Sequence, residues 1–195
     1  QPPLRTNHVK AALNAGQVVI GTWIVMNRHP GIVRMAAASG LDFVFIDTEH
    51  SDFSWETVAT LCEMARACDL VPIVRPPDTN PHRTNRLQDI GAMGLMYHDV
   101  TERSEVDAFL SAMRYPPLGT RGSASFVAAM DYRSGKGEEL RDTLNESAML
   151  VIQVESARGV DNLDAILAGG GVDLVEVVRG DLSASLGLPM QPRHP

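Results

Sequence analysis

Short apolar runs alternate with amphipathic helical patterns along almost the whole chain. Strands are predicted at residues 18–26, 42–47, 71–77, 93–98, 148–155 and 172–178, and residues 116–126 form a loop that can hold one more short strand. Helices are predicted between them at residues 31–40, 54–68, 81–91, 104–114, 138–146 and 160–170. Near-continuous apolar strands separated by amphipathic helices are typical of a parallel sheet that is covered by helices.

Local signals mark several of the predicted helix boundaries. Ser54 and Ser104 precede apolar periodic segments, where a side-chain oxygen can cap the first turn of a helix. Gly40 follows the first helical pattern, and a glycine at this position is a common stop signal. The helices are therefore expected to begin and end close to these residues.

The number of units favours a barrel over a doubly wound sheet. About seven strand–helix units are present and the dinucleotide-binding pattern GxGxxG is absent, so we predict an α/β fold of the (β/α)8 TIM-barrel type. A complete barrel usually needs about 250 residues, whereas this chain has 195. We expect residues 1–195 to form a single barrel domain that lacks the eighth strand–helix unit and is incomplete at its carboxyl end.

Composition and charge exclude several classes of function. With 44% apolar and 21% charged residues the chain is of an ordinary globular type, and a net charge of −7 with 5% aromatic residues argues against a nucleic-acid partner. No apolar run approaches the roughly 20 residues of a membrane span, and the first ten residues lack the apolar core of a secretory signal. Cys62 and Cys68 match neither a CxxC pair nor a disulfide framework, so we expect a reducing, cytoplasmic location.

Charged side chains follow the predicted strands at their carboxyl ends. These residues are Asp47, Glu49, His50, Arg75, Glu155 and Asp181. Taken singly, each has an ordinary structural interpretation, such as a helix N-cap for Asp181, an ion pair for Arg75 or a hydrogen-bonded imidazole for His50. Because the carboxyl ends of barrel strands meet at one mouth, the set as a whole is better explained by an active site there.

The residue types in this set indicate a particular chemistry. Glu155 and Asp181 lie on neighbouring predicted strands, and two carboxylates this close suit a hard divalent cation such as Mg²⁺ or Mn²⁺. A structural zinc site would need cysteine or more histidine ligands. Arg75 supplies a permanent positive charge for a developing oxyanion, and His50 can transfer a proton near neutral pH. A metal, an arginine and a histidine base fit carbon–carbon bond chemistry through an enolate.

Six motifs, in this order and spacing, resemble the HpcH/HpaI aldolase family of class II, metal-dependent pyruvate aldolases. They are "IDTEH", "VRPP", "DIGAMG", "YPPLGTRG", "QVES" and "GDLSASLG", and the likeness extends over roughly residues 7–193. The family includes 4-hydroxy-2-oxoheptanedioate and 2-keto-3-deoxy sugar-acid aldolases. The resemblance implies a (β/α)8 barrel, a divalent metal ion (Mg²⁺, Mn²⁺ or Co²⁺), a small-molecule 2-oxo acid substrate and a homo-oligomer, typically a hexamer.

The resemblance also implies roles for individual residues. It assigns the metal to Glu155 and Asp181, the catalytic histidine to His50, the enolate-stabilising arginine to Arg75, the partner of that histidine to Asp89, the lining of the pyruvate pocket to Gln153, and the backbone N–H groups that bind the pyruvate carboxylate to Gly180 and Asp181. The start of a short helix suits that anion because its backbone N–H groups are free to donate.

The chain departs from the family pattern at two places. Val178 and Arg179 stand where many members have glycine and proline, so the bulkier Val178 can narrow the pocket and the cationic Arg179 can add a contact to an anion. His98 and Asp99 occupy a position where the family commonly has proline and histidine. The aldehyde half of the substrate, the physiological metal and the separate roles of Asp47 and Glu49 stay open at this level.

Three hypotheses follow, of which the first is preferred. In the first hypothesis, the chain is a metal-dependent lyase that cleaves a 4-hydroxy-2-oxo acid to pyruvate and an aldehyde through a pyruvate enolate. The second hypothesis keeps the enolate and changes the reaction, for example to decarboxylation of oxaloacetate. The third is a catalytically inactive barrel that serves as an oligomeric module, although four converging charged side chains argue against it.

Overall fold

The computed structural model describes residues 4–133, 137–191 and 193. Within these residues the strands are β1 (Gly21–Ile24), β2 (Phe43–Asp47), β3 (Val71–Arg75), β4 (Gly94–Tyr97), β5 (Met149–Val154) and β6 (Leu174–Val177). The helices are α1 (His8–Asn14), α2 (Gly31–Ala38), α3 (Trp55–Ala67), α4 (Pro81–Asp89), α5 (Arg103–Met113), α6 (Glu138–Ser147), α7 (Ala157–Asp161), α8 (Leu163–Ala168) and α9 (Arg179–Ser185). Most strands are thus followed by a helix, as the sequence predicted.

All of these strands are parallel and lie side by side in chain order, from β1 at one edge to β6 at the other. Strands in chain order with helical connections are the arrangement of a (β/α) barrel, here as an open, curled sheet of six units. The α/β prediction is confirmed in this form. The predicted eight-unit architecture is not confirmed, and most of the residues after Gln191 lie outside those that the structure describes.

The predicted count of seven strands is wrong for the described residues, which contain six. The segment 116–126 forms no strand. β4 pairs directly with β5, so no position is left between them. The segment instead folds back on the end of α5, where the N–H groups of Thr120 and Arg121 donate to the carbonyl oxygens of Ser111 and Arg114. Two prolines and two glycines in this segment favour a loop over a strand.

The helix boundaries agree with the local signals at some positions and not at others. Ser54 caps α3 through a hydrogen bond from the N–H of Thr57, and Gly40 follows α2 with a φ of 76°. Ser104 is not a cap, because α5 begins one residue earlier and is capped by Glu102 together with Glu105. The single helix predicted over residues 160–170 is two short helices, α7 and α8, that meet at residue 162.

The two faces of the sheet bury different apolar layers. The outer face packs against the helices through a large cluster that includes Val44, Ile46, Val74, Leu95 and Ile152. The inner face carries a smaller cluster, formed by Phe45, Ile73, Met96, Val151 and their neighbours Val9, Val71 and Met149. Because side chains alternate along a strand, the residue two positions after each inner apolar residue also points inward. Those next positions form the candidate site.

Candidate active site

A layer of polar side chains lies directly above the inner apolar layer, toward the carboxyl ends of the strands. Its members are Asp47 on β2, Arg75 on β3, Gln153 on β5 and Glu176 on β6, each two residues after an inner apolar side chain. Asp47, Arg75 and Gln153 are buried, with exposed fractions of 1%, 9% and 2%. Buried polar groups need hydrogen-bond partners, and these four side chains supply them to one another in a series of hydrogen bonds that runs across the sheet.

Arg75 is the centre of this layer. Its Nε and Nη2 donate to the two oxygens of Asp47 at 3.0 and 2.6 Å, and its Nη1 donates to Oε1 of Gln153 at 3.3 Å. Nη1 also forms an ion pair at 3.1 Å with Glu49, and the guanidinium lies 4.7 Å from the ring centroid of Trp23. Within the described residues the hydrogen bonds to Asp47 and Gln153 use three of the five guanidinium N–H groups, and Glu49 lies beside Nη1, so the second N–H of Nη2 is the donor left for a ligand.

The pair of Asp47 and Arg75 stabilises the charged form of both groups. Burial by itself would raise the pKa of Asp47, but hydrogen bonds from Arg75 and from the backbone N–H groups of His50 and Glu49 lower it below its ordinary value. Burial would lower the pKa of Arg75, and the hydrogen bonds and charge of Asp47 raise it instead. The site therefore holds a fixed ion pair at neutral pH.

The lowered pKa of Asp47 predicts how its contribution to stability depends on pH. A carboxylate with a lowered pKa in the folded state stabilises above its unfolded pKa, near 3.8, and loses that contribution as the pH falls toward its folded pKa. Asp47→Asn is therefore expected to lower the unfolding temperature at pH 7, with a difference from the wild type that narrows below about pH 4. Thermal unfolding between pH 2 and pH 7 measures this, with the exposed Asp142→Asn as control. An equal difference at pH 3 and pH 7 would contradict the prediction.

Glu155 and Asp181, the two predicted metal ligands, lie close enough for their charges to interact. Glu155 follows β5, and its Oε1 accepts a hydrogen bond of 2.8 Å from the N–H of Asp99. Burial raises the pKa of Glu155 above its ordinary value, and the negative charges of Asp181 and Glu49 act in the same direction, against that hydrogen bond. A neighbouring cation would remove the electrostatic cost of both carboxylates.

The rest of the predicted metal and anion site is open to solvent. Asp181 is exposed and lies with Gly180 in the first turn of α9, which begins at Arg179. Among residues 4–133, 137–191 and 193, no group of three or more His, Cys, Asp or Glu side chains is arranged to hold a metal ion. The assignment of a metal ion to Glu155 and Asp181 stays a prediction.

His50 stands at the mouth of the site. It follows β2, its backbone N–H donates to Oδ1 of Asp47 at 3.3 Å, and its side chain is 68% exposed. Its Nε2 lies 3.8 Å from Oε2 of Glu49, and Nδ1 of His98 lies 3.6 Å from the other oxygen of Glu49. Glu49 thus connects Arg75 to both histidines, which gives contacts to a residue whose separate role the sequence left open.

The structure does not bring Asp89, the predicted partner of His50, to this mouth. Asp89 is the last residue of α4, and a helix in this fold runs back from the carboxyl to the amino end of the sheet. Its Oδ1 there accepts a hydrogen bond of 2.8 Å from Nη2 of Arg121. His50 lies at the opposite end of the sheet, and the described residues show no hydrogen bond or ion pair between the two side chains.

Residues 20–195 match the family model described as HpcH/HpaI aldolase/citrate lyase. The chain belongs to this family. A pyruvate aldolase from Rhizobium etli is 35% identical over 194 residues, which cover 98% of this chain and 74% of that protein. A 2-keto-3-deoxy-L-rhamnonate aldolase from Escherichia coli O17:K52:H18 is 35% identical over 192 residues, which cover 98% of this chain and 71% of that protein.

The crystal structure of an HpcH/HpaI aldolase from Desulfitobacterium hafniense has the same architecture over the aligned residues. It superposes with a TM-score of 0.92 at 33% sequence identity and covers 96% of this chain and 72% of that one. The predictions of the HpcH/HpaI aldolase family and of a carbon–carbon lyase are confirmed. In the part of the chain that the structure describes, no helix is long and apolar enough to cross a membrane.

Sequence analysis did not identify two residues of the candidate site, Trp23 and Glu176. Trp23 lies on β1 and covers the guanidinium of Arg75, but a tryptophan in an apolar strand has no feature that separates it from a core residue. Glu176 carried a usable signal, because it is a carboxylate in the middle of the apolar run "VDLVEVV". A charge at such a position is costly unless it has a partner.

Proposed function

We propose that this chain is a metal-dependent aldolase that cleaves a 4-hydroxy-2-oxo acid to pyruvate and an aldehyde through a pyruvate enolate. The observation that carries the proposal is the fixed guanidinium of Arg75, which keeps an N–H group of Nη2 for a ligand on the same side of the sheet as Glu155. Preorganised donors aimed at a developing negative charge are the largest catalytic contribution in many enzymes. Membership of an aldolase family supports the choice of reaction.

Glu155 and Asp181 are the residues that would hold a divalent metal ion in this proposal. The raised pKa of Glu155, caused first by burial and then by Asp181, is the feature that a bound cation would reverse. Two carboxylates suit Mg²⁺, Mn²⁺ or Co²⁺ that keeps water and substrate oxygens as its remaining ligands. The cation would supply positive charge beside the carboxylate and 2-oxo oxygens of the substrate.

The side chains of the site have distinct tasks in the proposed cleavage. His50, exposed at the mouth, accepts the proton of the 4-hydroxyl group. The bond between C3 and C4 then breaks, the aldehyde leaves, and the electron pair of that bond remains on the pyruvate fragment as its enolate. Arg75 donates a hydrogen bond to the enolate oxygen, and return of the proton from His50 to C3 completes pyruvate.

Two further groups bind the pyruvate part of the substrate. Gln153 is buried beside Arg75, and we assign it to the lining of the pyruvate pocket. The backbone N–H groups of Gly180 and Asp181, in the first turn of α9, donate to the substrate carboxylate. Asp89 has no task within one chain in this proposal, because it lies at the other end of the sheet.

Release of pyruvate, measured by lactate dehydrogenase and the oxidation of NADH, tests the proposal. Wild-type protein is expected to release pyruvate from 4-hydroxy-2-oxo acids with Mn²⁺ or Mg²⁺, to lose this activity in EDTA, and to regain it when metal is returned. Oxaloacetate at the same concentration is the comparison substrate. Full activity in EDTA would contradict the metal requirement, and faster release from oxaloacetate than from every hydroxy-oxo acid would favour a decarboxylase.

A further inference from the structure

Among the described residues, Glu176 is joined to the other members of the polar layer through one side chain, that of Gln153. Nε2 of Gln153 donates to Oε2 of Glu176 at 2.7 Å, while Oε1 of Gln153 accepts from Nη1 of Arg75 at 3.3 Å. Gln153 and Glu176 are directly opposite each other in the pairing of β5 with β6, so the backbone register holds them together. A line of contacts therefore runs from Glu176 through Gln153 to Arg75 and on to Asp47.

The partners of Gln153 determine which way its amide group points. A glutamine amide has an acceptor end and a donor end of almost the same shape, so it can bind in two orientations. A carboxylate only accepts hydrogen bonds and a guanidinium only donates them. With Glu176 on one side and Arg75 on the other, only the orientation with the carbonyl oxygen toward Arg75 satisfies both neighbours.

The carboxylate of Glu176 has little structural reason to be where it is. It is half-buried on β6 between apolar neighbours, and among the described residues it forms no ion pair. A neutral glutamine could accept the same hydrogen bond at a lower desolvation cost, and it could donate to Gln153 only if the NH2 group of Gln153 turned toward Arg75, where it would face another donor. Glu176, as an acceptor without a donor, acts together with Arg75 to exclude the reversed amide.

We propose that Glu176 is a positioning residue, which fixes the amide of Gln153 with its carbonyl oxygen toward Arg75 and thereby holds the guanidinium in place. The inference rests on the proposed function, in which Arg75 donates to the enolate oxygen. Asp47 accepts hydrogen bonds from one edge of the guanidinium, at Nε and Nη2, and Gln153 accepts one from the other edge, at Nη1. A shift of that edge affects the charged transition state more than the bound substrate.

Steady-state kinetics of three variants test the role of Glu176. Glu176→Leu is expected to lower kcat by roughly tenfold to a hundredfold, as loss of an outer partner does at comparable sites, while KM changes by less than about threefold. Glu176→Gln keeps the shape and one of the two amide orientations, so its kcat is expected to stay within about threefold of the wild type. The exposed Glu63→Leu on α3 controls for the loss of a negative charge.

The most informative measurement is the kcat of the double variant Glu176→Leu, Gln153→Met, compared with the kcat of each single variant. If Glu176 acts through Gln153, the second substitution has no further effect once Gln153 is gone, whereas independent effects would multiply. Multiplying effects, or a kcat for folded Glu176→Leu equal to that of the wild type, would overturn the proposal. A kcat for Glu176→Gln as low as that of Gln153→Met would overturn it too, and this isosteric variant serves if Glu176→Leu does not fold.

A nuclear magnetic resonance measurement separates this inference from the proposed function. The side-chain amide resonance of Gln153, identified by its loss in Gln153→Met, is expected to show one strongly hydrogen-bonded proton in the wild type and none in Glu176→Leu. Wild-type protein that releases no pyruvate would contradict the proposed function and leave this expectation intact. An ordinary, weakly bonded amide resonance in the wild type would overturn the role of Glu176 whatever the activity.

Discussion

Replacing Arg75 with lysine is expected to lower kcat for pyruvate release by about a hundredfold to a thousandfold, the effect of removing one preorganised donor from an oxyanion site. Lysine keeps the positive charge, but its ammonium group cannot span both oxygens of Asp47 and reach Gln153 at the same time. The remaining charge therefore loses its fixed position. The measurement is the coupled pyruvate assay, with KM determined beside kcat to show that the loss falls on the transition state.

The control for this variant is Arg158→Lys on α7, where the arginine pairs with Glu102 at the surface and its side chain is 64% exposed. That substitution is expected to change neither kcat nor stability, since exposed ion pairs contribute about 0–1 kcal/mol. Arg75→Met extends the test, because it leaves Asp47 buried and unpaired and is expected to cost about 3–5 kcal/mol in unfolding free energy. An Arg75→Lys enzyme within threefold of wild-type kcat would remove Arg75 from the proposed mechanism.

Replacing Glu155 with glutamine is expected to weaken Mn²⁺ binding by more than the roughly 10–100-fold that loss of an outer-shell partner costs. The substitution keeps the side-chain shape and an oxygen that accepts from the N–H of Asp99, but it removes one of the two charges offered to the cation. Isothermal titration calorimetry with Mn²⁺ measures the affinity. The pyruvate assay is expected to fall to the level of the wild-type enzyme in EDTA.

The same substitution is expected to weaken metal binding without lowering the stability of the metal-free protein. Burial and Asp181 raise the pKa of Glu155, which means that the folded, metal-free protein disfavours its negative charge. The metal-free Glu155→Gln protein should thus unfold at a temperature at least as high as the wild type, and added Mn²⁺ should no longer raise it. The exposed Glu63→Gln is the matched control. Wild-type affinity for Mn²⁺ in Glu155→Gln would show that the metal binds elsewhere.

The sequence by itself determined the parallel sheet and the end of it that carries the site. The apolar runs that become β2, β3 and β5 have the length of strands and are too short for typical helices. Asp47 and Arg75 are the last residues of β2 and β3, and Glu155 follows β5. In a parallel sheet such positions must lie at one edge, so their convergence follows from topology alone. Residue type then indicated the chemistry, since carboxylates suit a hard cation and arginine suits an oxyanion.

The tertiary structure alone decided which of these groups touch. No feature of the sequence fixes the register of β5 against β6, yet that register places Glu176 opposite Gln153 and turns an isolated carboxylate into part of the site. The strand count depended on the direct pairing of β4 with β5, which local propensity in residues 116–126 could not show. Asp89 was assigned to His50 by resemblance, and the return of α4 to the amino end of the sheet separates the two. Local pattern determines which element a residue belongs to, whereas contacts between elements depend on long-range pairing, which local patterns do not show.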